Sequence, residues 1–78
     1  MENWKEENNK LVKEFELDDF TATADFVNKI VPLANKADHH PDVLIHSYKK
    51  VKVMLTTHDK GKVTEKDYDL AKKIDAID

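Results

Sequence analysis

The sequence predicts an α+β fold, an antiparallel sheet of about four strands with helices packed on one face. Two observations carry that expectation. Segments of period-two and of helical hydrophobicity alternate in the order strands, helix, two strands, helix, which places the helices together on one side of the sheet. A chain of 78 residues with 40% hydrophobic content then holds one core and one domain, spanning residues 1–78.

The elements follow in order. Lys10 to Leu17 puts Leu11, Phe15 and Leu17 on one parity and Val12, Glu14 and Glu16 on the other, the pattern of a half-buried strand. Trp4 to Glu7 can pair with it across Asn8-Asn9. Asp18-Asp19 offers N-cap chemistry for a helix from Phe20 to Ala37, because a short carboxylate accepts from the unpaired N–H groups of a first turn. Its apolar stripe runs through Phe20, Ala24, Val27, Val31 and Ala34, broadened by Phe26, Ile30, Leu33 and Ala37. Pro32 removes the bond to the carbonyl of Asn28 and is expected to kink this helix, which ends by Asp38 ahead of Pro41.

Val43 to Tyr48 and Val51 to Thr57 read as a hairpin joined at Lys49-Lys50, on strand pattern more than turn chemistry. Asp59 to Lys62 is a loop around Gly61. Thr64 and Asp67 have the spacing of a capping box, with Val63 and Tyr68 placed for a hydrophobic staple. A last helix from Thr64 to Ile77 buries Leu70, Ala71, Ile74 and Ile77. The charged strand parity, Glu14, Glu16, Lys50 and Lys52, faces solvent or a partner subunit.

Composition narrows the function. With 13 basic and 16 acidic residues the net charge is −3, and no basic face invites nucleic acid. No apolar run reaches the roughly 20 residues a bilayer demands. The polar start from Met1 to Lys10 lacks a secretory apolar region, so a cytoplasmic location is expected. The absence of cysteine excludes thiolate catalysis and thiolate metal sites. A core this small gains from association, so a homodimer or larger homo-oligomer is expected.

Chemistry concentrates in four histidines. His39 and His40 are adjacent in a loop held by Pro41, and His58 leaves the second hairpin strand. If the two strands pair, the exit of the second lies beside the start of the first, and three imidazoles reach one rim. Imidazole titrates near neutral pH and serves as acid or base. His46 lies mid-strand and reads as a surface residue. A solvated His-His pair and a three-histidine zinc site are the competing readings, but the His-x3-His spacing of a helical metal face is missing. Asp38 and Asp59 can orient an imidazole or accept a substrate N–H, or simply end a helix and form a turn. Thr56 and Thr57 read first as strand residues. The lysines at 49, 50, 52, 60 and 62 form a solvated patch.

Asp38-His39-His40-Pro41-Asp42, Tyr48-Lys49-Lys50-Val51, Leu55-Thr56-Thr57-His58-Asp59-Lys60-Gly61, then Thr64, Asp67 and Leu70-Ala71, together resemble the pterin-4a-carbinolamine dehydratase family. The resemblance runs from about Trp4 to Ile77. It implies dimers built by sheet pairing, sometimes doubled into tetramers, and dehydration of 4a-hydroxytetrahydrobiopterin to quinonoid dihydrobiopterin, without cofactor or metal. The activity would serve a pterin-dependent hydroxylase. By the same resemblance His39, His40 and His58 surround the pterin, the first and third as acid and base, the second holding substrate. Asp38, Pro41, Thr56, Thr57 and Asp59 would contact it. The sequence departs from the family pattern in Asn35 where a glutamate is common, Lys62 where a second glycine is common, and Pro32 within a helix; the extra N-terminal segment of about one helix in the family's longer members is expected to be absent. A non-catalytic dimerisation module, and a pterin-binding protein acting on another pterin, are the alternatives.

Overall fold

A computed structural model describes residues 3–77. Four strands, β1 (Lys5–Glu7), β2 (Lys10–Glu16), β3 (Asp42–His46) and β4 (Lys50–Leu55), and two helices, α1 (Phe20–Ala37) and α2 (Glu65–Asp75), make up the fold. The sheet is antiparallel throughout in the order β1-β2-β4-β3. Register follows burial. Leu11 faces Leu55 and Phe15 faces Val51 across β2 and β4, and Ile45 faces Val51 across β3 and β4. A slip of one residue would turn these side chains to the other face. On the opposite face Glu14 stands across from Lys52 and Glu16 from Lys50, and among the described residues no helix covers them.

Val51, Val53, Leu55, Leu70, Ala71 and Ile74 are buried at the centre of the core, with Leu11, Phe26 and Ile30 around them. On α1 the buried residues are Thr23, Phe26, Ile30 and Ala34. The stripe expected through Phe20 and Val31 is corrected here, because both are exposed, at 61% and 48%. Apolar residues cover more than one face of α1, and the sheet takes the face centred on Phe26 and Ile30. Asp19 supplies the cap, its Oδ1 accepting from Ala22 N at 2.8 Å. The helix runs as one element through Pro32. Without an amide hydrogen, Pro32 leaves the Asn28 carbonyl without its helical donor.

The hairpin turn is shifted from the expected Lys49-Lys50. Strand β3 ends at His46 and the turn is Ser47 to Lys49, with Ser47 and Tyr48 both at φ 53°. Two consecutive left-handed residues match the right-handed twist of the flanking strands, although neither is Gly or Asn. The Asn8-Asn9 turn between β1 and β2 uses the same geometry, at φ 50° and 64°, with the residue type that tolerates it. At the far end Trp4 Nε1 donates to Asp75 Oδ2 at 3.0 Å and Lys13 Nζ to Asp75 Oδ1 at 2.7 Å. These bonds tie the end of α2 to the sheet.

Candidate functional site

The end of α1 sets the first wall. Asp38 adopts a left-handed conformation (φ 50°, ψ 42°), which stops the helix and turns the chain back. The amide of His39 still donates to the carbonyl of Ala34 at 3.1 Å. His39 is thereby held under the helix end, while His40 projects outward and is exposed. Pro41 leads directly into β3.

The exit of β4 sets the second wall. Beyond Leu55, Thr57 bridges to Lys62, and Thr57 N donates to the Lys62 carbonyl at 3.0 Å. The intervening loop closes through Gly61 N and Lys60 N on the Thr57 carbonyl, at 2.9 and 3.0 Å. Gly61 takes φ 64°, where its missing Cβ avoids strain. Lys62 is the backbone bridge partner of Thr57.

These two walls and α2 meet at Asp67. Its carboxylate has no exposed surface, yet every lone-pair direction needed is used. Oδ1 lies 2.5 Å from His39 Nε2, and Oδ2 accepts from Thr57 Oγ1 and Thr64 N, each at 2.9 Å. The Thr57 hydroxyl hydrogen is thus committed to Asp67, so Thr64 donates in the 2.6 Å contact between the two hydroxyls. A buried carboxylate persists when its acceptor sites are filled in this way. Nε2 of His39 is taken up by Asp67, and Nδ1 is the nitrogen left for a ligand.

Asp38, His39, His40, Pro41, Asp42, Thr57, His58, Asp59 and Lys66 line one cleft of about 340 Å³. That volume is near the lower end of small-ligand sites, which begin at about 300 Å³. Thr56 is not among the lining residues; its hydroxyl donates to the Asn9 carbonyl at 2.8 Å and steadies the β1–β2 turn. Strand alternation accounts for this, since Thr56 and Thr57 point to opposite faces. His46 also lies elsewhere, beside Glu14 on the open face of the sheet. It stands at the end of β3, so the expectation that it lies mid-strand is corrected.

His40 Nε2 lies 3.1 Å from Asn35 Oδ1, so an amide holds this imidazole. Asp67 was legible only as a helix cap, because its bond to His39 spans 28 residues. Asp42 and Lys66 were likewise not singled out for the cleft. Among the described residues no group of three or more His, Asp or Glu side chains is placed to hold a metal ion. A depression of about 500 Å³ between Phe15, Phe26 and Ile77 is larger. It contains no imidazole, so volume alone does not choose the site.

A family model described as pterin 4 alpha carbinolamine dehydratase matches residues 1–77. A protein of Sulfolobus acidocaldarius named "Putative pterin-4-alpha-carbinolamine dehydratase" is 49% identical over 77 residues, covering 99% of this chain and 84% of that one. A Picosynechococcus protein of the same name is 50% identical over 74 residues, covering 95% and 79%. Among solved structures, a transcriptional coactivator/pterin dehydratase from Brucella melitensis superposes with a TM-score of 0.90 at 31% identity, over 97% of this chain and 82% of that one. A pterin dehydratase-like protein described as a RuBisCO assembly factor in the alpha-carboxysome has a TM-score of 0.74 at 19% identity, over 94% and 83%. The latter likeness is one of fold.

Proposed function

The chain belongs to the pterin 4 alpha carbinolamine dehydratase family, and from that premise we propose that it dehydrates 4a-hydroxytetrahydrobiopterin to quinonoid dihydrobiopterin and water. The observation that carries the reading is the convergence of His39, His40 and His58 on one cleft, with His39 fixed by the buried Asp67. In the reaction the C4a–O bond breaks and the hydroxyl leaves as water with an added proton. The adjacent ring nitrogen gives up its hydrogen, and the freed electron pair closes the C=N bond to C4a. Atoms and electrons balance without a nucleophile, cofactor or metal.

Two imidazoles suffice for the two proton transfers. His39, with Nε2 on Asp67, offers the Nδ1 lone pair, takes the ring N–H proton and then releases it to solvent. His58 is exposed and makes no side-chain hydrogen bond among the described residues. It delivers the proton to the leaving hydroxyl and regains one from solvent. His40, on Asn35, holds the ring, with Asp38, Pro41, Thr57 and Asp59 around it. Among the described residues no helix is long and apolar enough to cross a membrane, and the proposed setting is the cytoplasm, beside a pterin-dependent hydroxylase. The test is to generate the carbinolamine with such a hydroxylase and follow its decay by absorbance. A decay no faster than the spontaneous one rejects the activity.

A second reading is a dimerisation or stabilising module. It draws on Phe20 and Val31 exposed along α1, and on Leu44 and Ile45 exposed at 50% and 38% on the edge strand β3. Apolar surface of this kind fits a homodimer or homotetramer, and a solved neighbour is titled a coactivator. Capture of one specific partner, unchanged by removing His39 and His58, would favour it over catalysis.

A further inference from the structure

The cleft offers a flat ring little apolar surface. Among the described residues that line it, Pro41 alone is apolar and none is Phe, Tyr or Trp, whereas small-ligand sites are lined mostly by hydrophobic and aromatic side chains. The cleft also opens at the edge of the sheet, because Asp42 both lines it and begins β3. That strand has β4 on one side only, and an edge strand offers its unpaired backbone groups to a further strand. Its exposed side chains are apolar in the middle, Leu44 at 50% and Ile45 at 38%. Beyond its far end the turn holds Tyr48 at φ 53° and 61% exposed, an aromatic side chain that the core does not use.

We infer that a second copy of this chain pairs along β3 and that the partner's Tyr48 closes the cleft as its aromatic wall. The inference rests on the pterin reading for its ligand and goes beyond it in making the site a product of two chains. Register decides where Tyr48 falls. Opposed residues of an antiparallel ladder point to one face, and a two-fold axis normal to the sheet preserves the faces. Each residue therefore pairs with one an even number of places away, and full overlap of the five residues of β3 centres the axis on Leu44. Leu44 then meets the partner's Leu44, Val43 the partner's Ile45 and Asp42 the partner's His46. On the open face the Asp42 side chain is 58% exposed, with Lys10 Nζ a distant counter-ion at 3.8 Å. The partner's His46 arrives beside it with the partner's Lys50 directly across on β4. On the helix side the partner's Ile45 covers Val43, which borders a recess of about 170 Å³ with Val27, Val31 and Ala34. Cross-strand pairs of these kinds, apolar on apolar and acid beside base, stabilise a ladder. Past Asp42 the chain continues to Pro41 and His40, and past His46 to Ser47 and Tyr48. The partner's turn therefore leaves the seam beside Pro41 and His40, at the mouth of the cleft, where a phenol ring offers its face to a bicyclic ligand. The contact is isologous, so each chain gives one such ring and receives one.

The test titrates a stable probe, 6-(1,2-dihydroxypropyl)-7,8-dihydropterin, by its fluorescence and reads the oligomeric state by sedimentation equilibrium. The parent protein is expected to be a dimer, or a pair of dimers, that binds the probe. Leu44→Glu sets two like charges face to face across the seam, while Lys52 stands opposite the new carboxylate within the chain. It should halve the assembly and keep native circular dichroism. Its Kd for the probe should rise about three- to tenfold, the worth of one aromatic contact. Tyr48→Ala should keep the assembly and show the same rise. The double variant should bind no more weakly than either single one, because a separated chain has no partner ring left to lose. Dilution of the parent protein to its monomer should give the same Kd without a substitution. A monomeric parent protein, a monomer that binds as tightly as the dimer, an unchanged Kd in Tyr48→Ala, or losses that add in the double variant overturns the inference and leaves the pterin reading standing. A parent protein that binds no probe overturns both.

Discussion

His39 and Asp67 are 28 residues apart, yet the imidazole Nε2 lies 2.5 Å from a carboxylate oxygen that has no exposed surface. This pair links the end of α1, the loop after β4 and the first turn of α2. Asp67 therefore acts as a positioning residue in the proposed reaction and as a structural one in the fold. Replacing it separates the two roles. Asp67→Asn keeps the shape but brings an amide that both donates and accepts, so the His39 tautomer is no longer imposed. We expect kcat to fall by about ten- to a hundredfold with the pterin KM little changed, and stability to fall by about 1–3 kcal/mol from the disturbed buried bonds. Steady-state kinetics and urea unfolding read the two effects. An unaltered kcat in a folded variant would remove Asp67 from the mechanism.

The three imidazoles are expected to differ. His39→Ala and His58→Ala each lose about 10²- to 10⁴-fold in kcat, the usual range for a removed proton-transfer group, while circular dichroism stays native. His40→Ala should act mainly on KM, because in the proposed reaction that side chain holds the ring. A His58→Ala variant with full kcat would assign the second proton transfer to another group.

Thr56 provides a contrast with its neighbour. Its hydroxyl serves the Asn9 carbonyl and does not line the cleft. Thr56→Val should leave pterin affinity within error and cost about 0.5–1.5 kcal/mol of stability. Thr57→Val removes a donor from the buried Asp67, so it should lower both stability and kcat. Equal effects of the two substitutions on affinity would place Thr56 in the site.

The clasp at the other end is predicted to matter for stability alone. Asp75→Ala breaks the bonds from Trp4 and Lys13. Hydrogen bonds to a charged, partly buried group are worth about 1.5–3 kcal/mol, and the urea midpoint should fall accordingly. Dehydratase kinetics should not change.

The β3–β4 turn offers a stabilising change. Tyr48 is 61% exposed and held at φ 53°, a region costing an ordinary residue about 1–2 kcal/mol. Glycine avoids that cost but gives back part of it through greater freedom in the unfolded chain. Tyr48→Gly should therefore stabilise by a few tenths to about 1 kcal/mol. A lower melting temperature would mean that the exposed ring contributes more than the turn strain removes.

Much of this molecule was legible in one dimension because the signals are local. Period-two alternation from Lys10 and from Val51 gave both central strands, since one face of each is buried and the other is wet. Asp19 announced the start of α1, and Thr64 with Asp67 the start of α2, because capping is settled within one helical turn. The motif Asp38-His39-His40-Pro41 together with Leu55-Thr56-Thr57-His58-Asp59-Lys60-Gly61 carried the family. The hairpin turn was misplaced because Ser47 and Tyr48 are not the residues that usually declare a left-handed turn, and cross-strand register overruled their preference.

What the amino-acid order determined was therefore the set of elements, the sidedness of the two central strands and the candidate imidazoles, each fixed by interactions within a few residues. The choice of the Phe26–Ile30 face of α1 over the Phe20–Val31 face, the exclusion of Thr56 from the cleft and the union of His39, Thr57 and Thr64 on Asp67 were decided by tertiary packing. Burial is a property of what lies opposite a side chain, and partners 28 residues apart meet only after the sheet and both helices have closed around them.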